Sequence, residues 1–236
     1  MSSPENRIAL VTGASRGIGH AAAVALARQG THVILVARTV SGLEDADDAI
    51  QKAGGSATLV PLDLRDFDAL DRLGASIYER WGRLDAFFGN AGVLDNLTPL
   101  PHLDPKVFQE ALDVNVTANW RLIRSLDPLL KKSDAGRALF VTSGAARKHT
   151  PFWGAYAVTK AALESLVLTY AAECESSNVK VNLLSPGALR TKMRAKAMPG
   201  ENPQSLDPPE TIAPLIAELL SPGCAKNGEI VDYKRS

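Results

Sequence analysis

Along this chain of 236 residues, short β-rich runs recur with longer stretches between them in which apolar positions return every three or four residues. The short runs, at 7–12, 32–37, 57–62, 84–88, 137–142 and 179–184, predict strands, and a weaker seventh is expected at 229–232. The intervening periodicity predicts helices over 18–29, 40–53, 67–81, 105–130 and 155–176, with shorter ones near 191–198 and 209–220. Strand and helix in alternation form a βαβ sequence, which implies an α/β fold with a mostly parallel sheet covered by helices on both faces. The expected architecture is therefore one Rossmann-type, doubly wound domain over residues 1–236. In such sheets ligands sit beyond the C-terminal ends of the strands, so the residues at those ends carry the chemistry.

The length suits one domain that buries roughly 70–75% of its unfolded surface without metals or crosslinks. With 26 basic and 26 acidic side chains the formal charge is zero, so no global field favours nucleic acid or an anionic membrane. Any anion must be held by local groups. Cys174 and Cys224 have no Cys-x-x-Cys spacing and read as structural thiols. The first residues lack an apolar signal core, and no segment reaches the roughly 18 apolar residues of a membrane span, so a cytoplasmic protein is expected. Pro199, Gly200, Pro203, Pro208 and Pro209 forbid a continuous helix after Met198, and the stretch 188–209 is expected to form a substrate-binding loop or lid.

Between the first predicted strand and helix lies Thr12-Gly13-Ala14-Ser15-Arg16-Gly17-Ile18-Gly19. Glycines in such a turn let backbone N–H groups approach a pyrophosphate at the helix N-terminus. The end of the second strand decides which dinucleotide is taken: an acidic residue there serves a ribose 2′-hydroxyl, whereas an arginine suits a 2′-phosphate. Here the tip is Ala37-Arg38, and Arg16 adds a second cation inside the glycine loop. The pattern favours NADP(H) over NAD(H). Asp63, followed by Leu64, stands where it can accept a hydrogen bond from the adenine amino group, and Asn90-Ala91-Gly92 where it can wall the groove; both are equally compatible with local turn chemistry.

Tyr156 and Lys160 are four residues apart and so share a helix face. A free tyrosine titrates near 10 and is a poor base unless its anion is stabilised, and a cation one turn away is expected to lower that value. Ser143, just past the fifth strand, can donate a hydrogen bond to the same substrate oxygen. Together with the glycine loop these residues imply a carbonyl/alcohol redox site.

The chain resembles the short-chain dehydrogenase/reductase family over nearly its full length. The likeness rests on the glycine loop at 12–19, Asn90-Ala91-Gly92, Asn115, Ser143, Tyr156-Ala-Val-Thr-Lys160 and Pro186-Gly187-Ala-Leu-Arg-Thr191. By that resemblance Asn115 bends its long helix and holds a water in a proton relay with Lys160. Pro186, Gly187 and Thr191 shape a nicotinamide pocket, and Leu189 offers its backbone to the carboxamide. The resemblance implies hydride exchange between NADP(H) and a small-molecule carbonyl or alcohol, with no metal, in a homodimer or homotetramer formed through the helices at 105–130 and 155–176. It also leaves two other readings: a cofactor-binding regulatory protein without turnover, and an NADP-dependent epimerase or dehydratase. Gly89 replaces a second Asn common in the family, and the C-terminus lacks the usual Gly-Gly. The substrate pocket is expected between 144–153, 94–96 and the 188–207 stretch, with Phe152, Trp153, Met193 and Met198 as apolar surface and Arg147-Lys148-His149 near its entrance.

Overall fold

A computed structural model describes residues 7–234; the readings that fall on residues 1–6 and 235–236 lie outside the described residues. The elements follow in the order β1 (Ile8–Thr12), α1 (Gly17–Arg28), β2 (His32–Ala37), α2 (Val40–Lys52), β3 (Ala57–Pro61), α3 (Phe67–Trp81) and β4 (Ala86–Gly89). The second half contains α4 (Pro105–Leu112), α5 (Ala118–Leu130), β5 (Arg137–Val141), α6 (Ala145–Lys148), α7 (Gly154–Glu173), β6 (Lys180–Ser185), α8 (Lys192–Ala197), α9 (Ala213–Leu219) and β7 (Ile230–Asp232).

The strands form one parallel sheet in the order β3-β2-β1-β4-β5-β6-β7. Its central strands are apolar at consecutive positions, because helices cover both faces. Leu10, Ile34, Phe87 and Phe140 enter the core shared with α3, α5 and α7. Their chain neighbours Val11, Leu35, Phe88 and Leu139 enter the core under α1, α2 and α9. The period of two along each strand thus divides one apolar run between two cores. Chain order reverses direction between β1 and β4, so their connections leave toward opposite sides and open a crevice at the C-terminal edge.

Close packing on the first of these faces depends on Gly74 of α3. A Cβ there would lie 2.5 Å from the Ser125 hydroxyl of α5. The same hydroxyl accepts a hydrogen bond from the Gly74 N–H at 3.0 Å, so the two helices meet backbone to side chain.

The structure corrects the sequence at several boundaries. The fourth strand starts at Ala86; Asp85 before it turns its carboxylate onto the Ile8 N–H at 2.8 Å and onto the Ser133 hydroxyl. A short helix, α6, was not expected. The predicted helix 105–130 is broken by a π-turn at Asp113–Thr117. No proline or glycine lies in that turn. The cause is tertiary: Asn115 is drawn into hydrogen bonds with the β4 exit loop and with α7, and the widened turn accommodates them. No helix among the described residues is long and apolar enough to cross a membrane.

Candidate active site

A cleft of about 490 Å³ opens at the C-terminal edge of the sheet, over β1, β2, β4, β5 and β6. The glycine turn forms its floor. Gly13 and Gly17 have φ of +66° and +59°, conformations that favour glycine. A Cβ on Gly13 would lie 2.9 Å from the Asn90 amide nitrogen, whereas one on Gly17 would meet only a Thr191 methyl and would project toward open space. Ser15, Arg16 and Ile18 also line the cleft; Gly19 does not. A Cβ on Gly19 would collide with the Gly13 carbonyl and lie 2.6 Å from Asn90 Nδ2, so its role is to let helix α1 start against the turn.

Asn90 belongs to that turn's support. Its amide Nδ2 donates to the Thr12 carbonyl at 2.9 Å, while the backbone N–H groups of Asn90 and Ala91 donate to Thr12 Oγ1, each at 3.1 Å. Thr12 is fully buried and ties β1 to the β4 exit, a function the sequence did not single out. Its signal was a hydroxyl at the C-terminal end of an otherwise apolar strand. Asn90, Ala91 and Gly92 all face the cleft.

At the far end Arg38, Asp63 and Leu64 line the wall. The Asp63 carboxylate is taken up locally: it accepts from the Arg65 backbone N–H at 3.0 Å and from the Arg65 guanidinium at 2.7 Å. That bonding holds it below the usual carboxylate range. Asp63 thus makes its turn bonds while still lining the cleft. Arg38 approaches Asp63 only at 4.0 Å and its side chain is 57% exposed, which leaves its fork open to the cleft. Arg16 is likewise exposed.

At the opposite end Ser143, Tyr156 and Lys160 line one wall, with Pro186, Gly187, Leu189 and Thr191 across from them. Thr191 also caps α8, its hydroxyl accepting from the Arg194 N–H at 3.1 Å. Leu189 is fixed by a parallel bridge to Asp207, and the Arg190 N–H donates to the Asp207 carbonyl at 2.8 Å. The 188–209 stretch is further tied by the Arg194–Glu201 ion pair and, across to the β4 exit loop, by Lys196–Asp95 at 2.8 Å.

Lys160 is buried, with Nζ donating to the Val141 carbonyl at 2.8 Å and lying 5.6 Å from the centre of the Tyr156 ring. Burial lowers its pKa to about 8, against the opposing charge of Glu164. Burial likewise pushes the Tyr156 hydroxyl up to about 12, only partly offset by a hydrogen bond with Ser143. Loss of water around the phenol thus outweighs the Ser143 hydrogen bond, which lowers its pKa. Tyr156 is consequently held as the neutral acid at pH 7.

Asn115 lies outside the cleft lining. Its Oδ1 accepts from the Val93 N–H at 2.8 Å, and its Nδ2 donates to the Val93 carbonyl at 3.0 Å and to Thr159 Oγ1 at 2.9 Å. Its side chain clamps the β4 exit loop to α7. The space a Gly92 side chain would fill is 3.2 Å from Asn115 Oδ1 and 3.5 Å from Lys160 Nζ, so a side chain there would press on both. The basic triplet is not at the entrance: Arg147 turns onto Glu164 and Asp232, and none of Arg147, Lys148 and His149 lines the cleft.

A smaller hollow of about 200 Å³ adjoins Tyr156 and Trp153, walled by Leu94, Leu97, Leu103, Val107 and Phe152. Phe152 has φ +73°, a strained value for a bulky residue, and its carbonyl accepts from the Thr98 N–H at 3.1 Å. The strain places its exposed ring at the rim of this hollow.

A parallel sheet in this order, with a glycine cradle at its first turn and a Ser–Tyr–Lys trio in the same cleft, defines a dinucleotide-dependent oxidoreductase domain. The chain belongs to the short-chain dehydrogenase family, whose model matches residues 7–202. It is 39% identical over 218 residues to YciK, an uncharacterised oxidoreductase of Escherichia coli K12, covering 91% of this chain and 86% of that one. A 3-oxoacyl-[acyl-carrier-protein] reductase of Synechocystis is 34% identical over 79% of this chain and 76% of its own. Among solved structures, a short-chain dehydrogenase of Shigella flexneri complexed with NADP superposes with a TM-score of 0.92 at 38% identity, covering 97% of each chain. One from Escherichia coli CFT073 complexed with NADPH gives 0.90 at 38% identity, over 97% of this chain and 96% of that one.

Proposed function

We propose that this chain exchanges hydride between NADP(H) and the carbonyl or secondary-alcohol carbon of a small molecule. The observation that carries the reading is that Ser143, Tyr156 and Lys160 share one cleft with the glycine cradle and the exposed Arg38. The cradle fits a dinucleotide: a side chain at Gly17 would stand in the groove itself, and one at Gly13 would displace the Asn90 amide that holds the turn. The residues that would hold the cofactor are Gly13, Ser15, Arg16, Gly17 and Ile18 at the diphosphate, Arg38 at a 2′-phosphate, and Pro186, Gly187, Leu189 and Thr191 at the nicotinamide. When bound, the cofactor supplies or accepts the hydride.

The chain's own groups manage the oxygen and its proton. The Ser143 hydroxyl donates to the substrate oxygen and polarises it. The neutral Tyr156 hydroxyl delivers the proton in reduction and, as phenolate, removes it in oxidation. Lys160, as an ammonium, stabilises the phenolate left behind, and Asn115 holds the Val93 segment against α7 so that Tyr156 and Lys160 keep their places. The hollow beside Tyr156 receives an apolar portion of the substrate that does not react.

Titration of the purified protein with NADPH and NADH by fluorescence, then absorbance at the reduced-nicotinamide band with aldehydes, ketones and quinones, tests this reading. Tight NADPH binding with carbonyl-dependent oxidation is expected; no binding of either nucleotide overturns it. Arg38→Asp is expected to weaken NADPH by at least about tenfold while sparing NADH, through lost pairing and new repulsion toward a phosphate. Equal weakening of both would remove Arg38 from phosphate recognition. Assembly as a homodimer or homotetramer is proposed through α5 and α7, which expose Trp120 and Val158. Light scattering at micromolar protein is expected to give the mass of two or four chains, and a monomer mass counts against it.

A further inference from the structure

Glu164 lies on α7 one turn beyond Lys160, as Lys160 lies one turn beyond Tyr156, so the three form a line along one helix face. It is buried, unusual for a carboxylate, and its Oε1 accepts a hydrogen bond from the Thr142 hydroxyl at 2.7 Å. Thr142 is the residue between Val141, whose carbonyl receives Lys160 Nζ, and Ser143. A second tie comes from α6: Arg147 Nε lies 3.6 Å from the same Oε1, and Arg147 reaches on to Asp232 of β7 at 3.4 Å. One carboxylate therefore joins the end of β5, the helix that starts after Ser143, and the helix that carries Tyr156 and Lys160. We infer that Glu164 is a positioning residue of the reaction, anchoring the strand end that presents Ser143 and keeping the buried Lys160 in its ammonium form.

The surroundings of Lys160 leave few other sources for that charge balance. On its own helix the titratable neighbours are Tyr156 and Glu164. From α6 come Arg147 and the exposed Lys148, and from β7 Asp232, which is paired with Arg147. The β4 exit loop and the π-turn present Gly92 and Asn115, which do not titrate. On α4 and the π-turn, Lys106 is exposed, Glu110 pairs with Arg65, and Asp113 accepts from Gln109. On β6, Lys180 sits at the opposite end of the sheet, opposite Arg137 in register. Burial works against the ammonium and Glu164 works for it.

This inference rests on the proposed role of Lys160, but its test does not need substrate or cofactor. In protein labelled with 13Cε-lysine, the Lys160 resonance, assigned by its loss in Lys160→Arg, is followed against pH by NMR. Wild type is expected to titrate well below the remaining lysines. Glu164→Gln, which keeps an oxygen for Thr142 but removes the charge, is expected to lower that midpoint by roughly one unit, the lower end of the range for a nearby charge. Glu164→Asp is expected to restore much of the difference. If Glu164→Gln does not fold, Glu164→Met carries the same expected shift and leaves no polar group of its own to bury. An unchanged midpoint in the Gln or Met variant overturns the inference, whereas failure of NADPH to bind wild type would overturn the functional proposal instead. With any carbonyl compound that wild type reduces, the high-pH limb of kcat/KM should move to lower pH in Glu164→Gln; an equal loss at every pH would mark a merely structural residue.

Discussion

Tyr156→Phe is expected to reduce carbonyl-dependent oxidation of NADPH by at least about 100-fold, the lower range for loss of a general acid. The substitution removes one hydroxyl and keeps the ring that packs against Trp153 at 6.0 Å between centroids. Because the ring stays, NADPH affinity by fluorescence titration and the urea midpoint should change little. The same measurements separate chemistry from folding: near-normal turnover removes Tyr156 from the mechanism, and lost affinity would mean that the hydroxyl serves the cofactor instead. The environment of that hydroxyl bears on direction. With its pKa raised to about 12, it is protonated across the physiological range and ready to give a proton. Reduction by the protein is therefore expected to hold its rate from pH 6 to 7, where alcohol oxidation, which needs the phenolate, is weak and climbs with pH.

Gly19→Ala is expected to cost about 1–3 kcal/mol of stability, as overpacking does in a close-packed region, and to weaken NADPH binding at least about tenfold. The added methyl has nowhere to go: it meets the Gly13 carbonyl and lies 2.6 Å from Asn90 Nδ2. Relief requires α1 to move away from the turn or Asn90 to release the Thr12 carbonyl, and either change opens the cradle. Urea denaturation and fluorescence titration check the two effects. Unchanged midpoint and affinity together would show that the turn yields freely and that its geometry is not what holds a phosphate. Gly19 itself does not line the cleft, so an effect on binding would have to pass through Gly13 and Asn90.

The sheet was legible because its strands are short apolar runs separated by helical periodicity, and burial on both faces strengthens that pattern. The cofactor end was legible for a related reason: glycines at a βα turn have few other uses. The catalytic and cofactor-binding residues singled out in the sequence line the same cleft, except Gly19 and Asn115, which lie behind it; Phe152, Met198 and the basic triplet, expected around the substrate, do not line it. Asn115 was drawn to the site by resemblance, yet its side chain is bonded to Val93 and Thr159, contacts no spacing along the chain foretells. Asp63 was equally well read as turn or ligand, and the structure shows it bonded to Arg65 two residues on while it lines the cleft, a local pairing the sequence reading did not name.

Local sequence by itself determined the alternation of elements, the glycine cradle, the helical register that puts Tyr156, Lys160 and Glu164 on one face, and the arginine at the tip of β2. These follow from constraints acting over a few residues: apolar periodicity, freedom at positive φ, and the 3.6-residue turn. The resemblance implied a bend at Asn115, but only the tertiary structure decided its form as a π-turn at 113–117, the turning of Arg147 away from the entrance, and the desolvation of Tyr156 and Lys160. Each depends on groups far apart in the chain, such as Asn115 with Thr159 and Glu164 with Thr142, and on how much water the fold removes from a hydroxyl or an ammonium. Desolvation is a property of the packed surroundings, and no run of residues carries it.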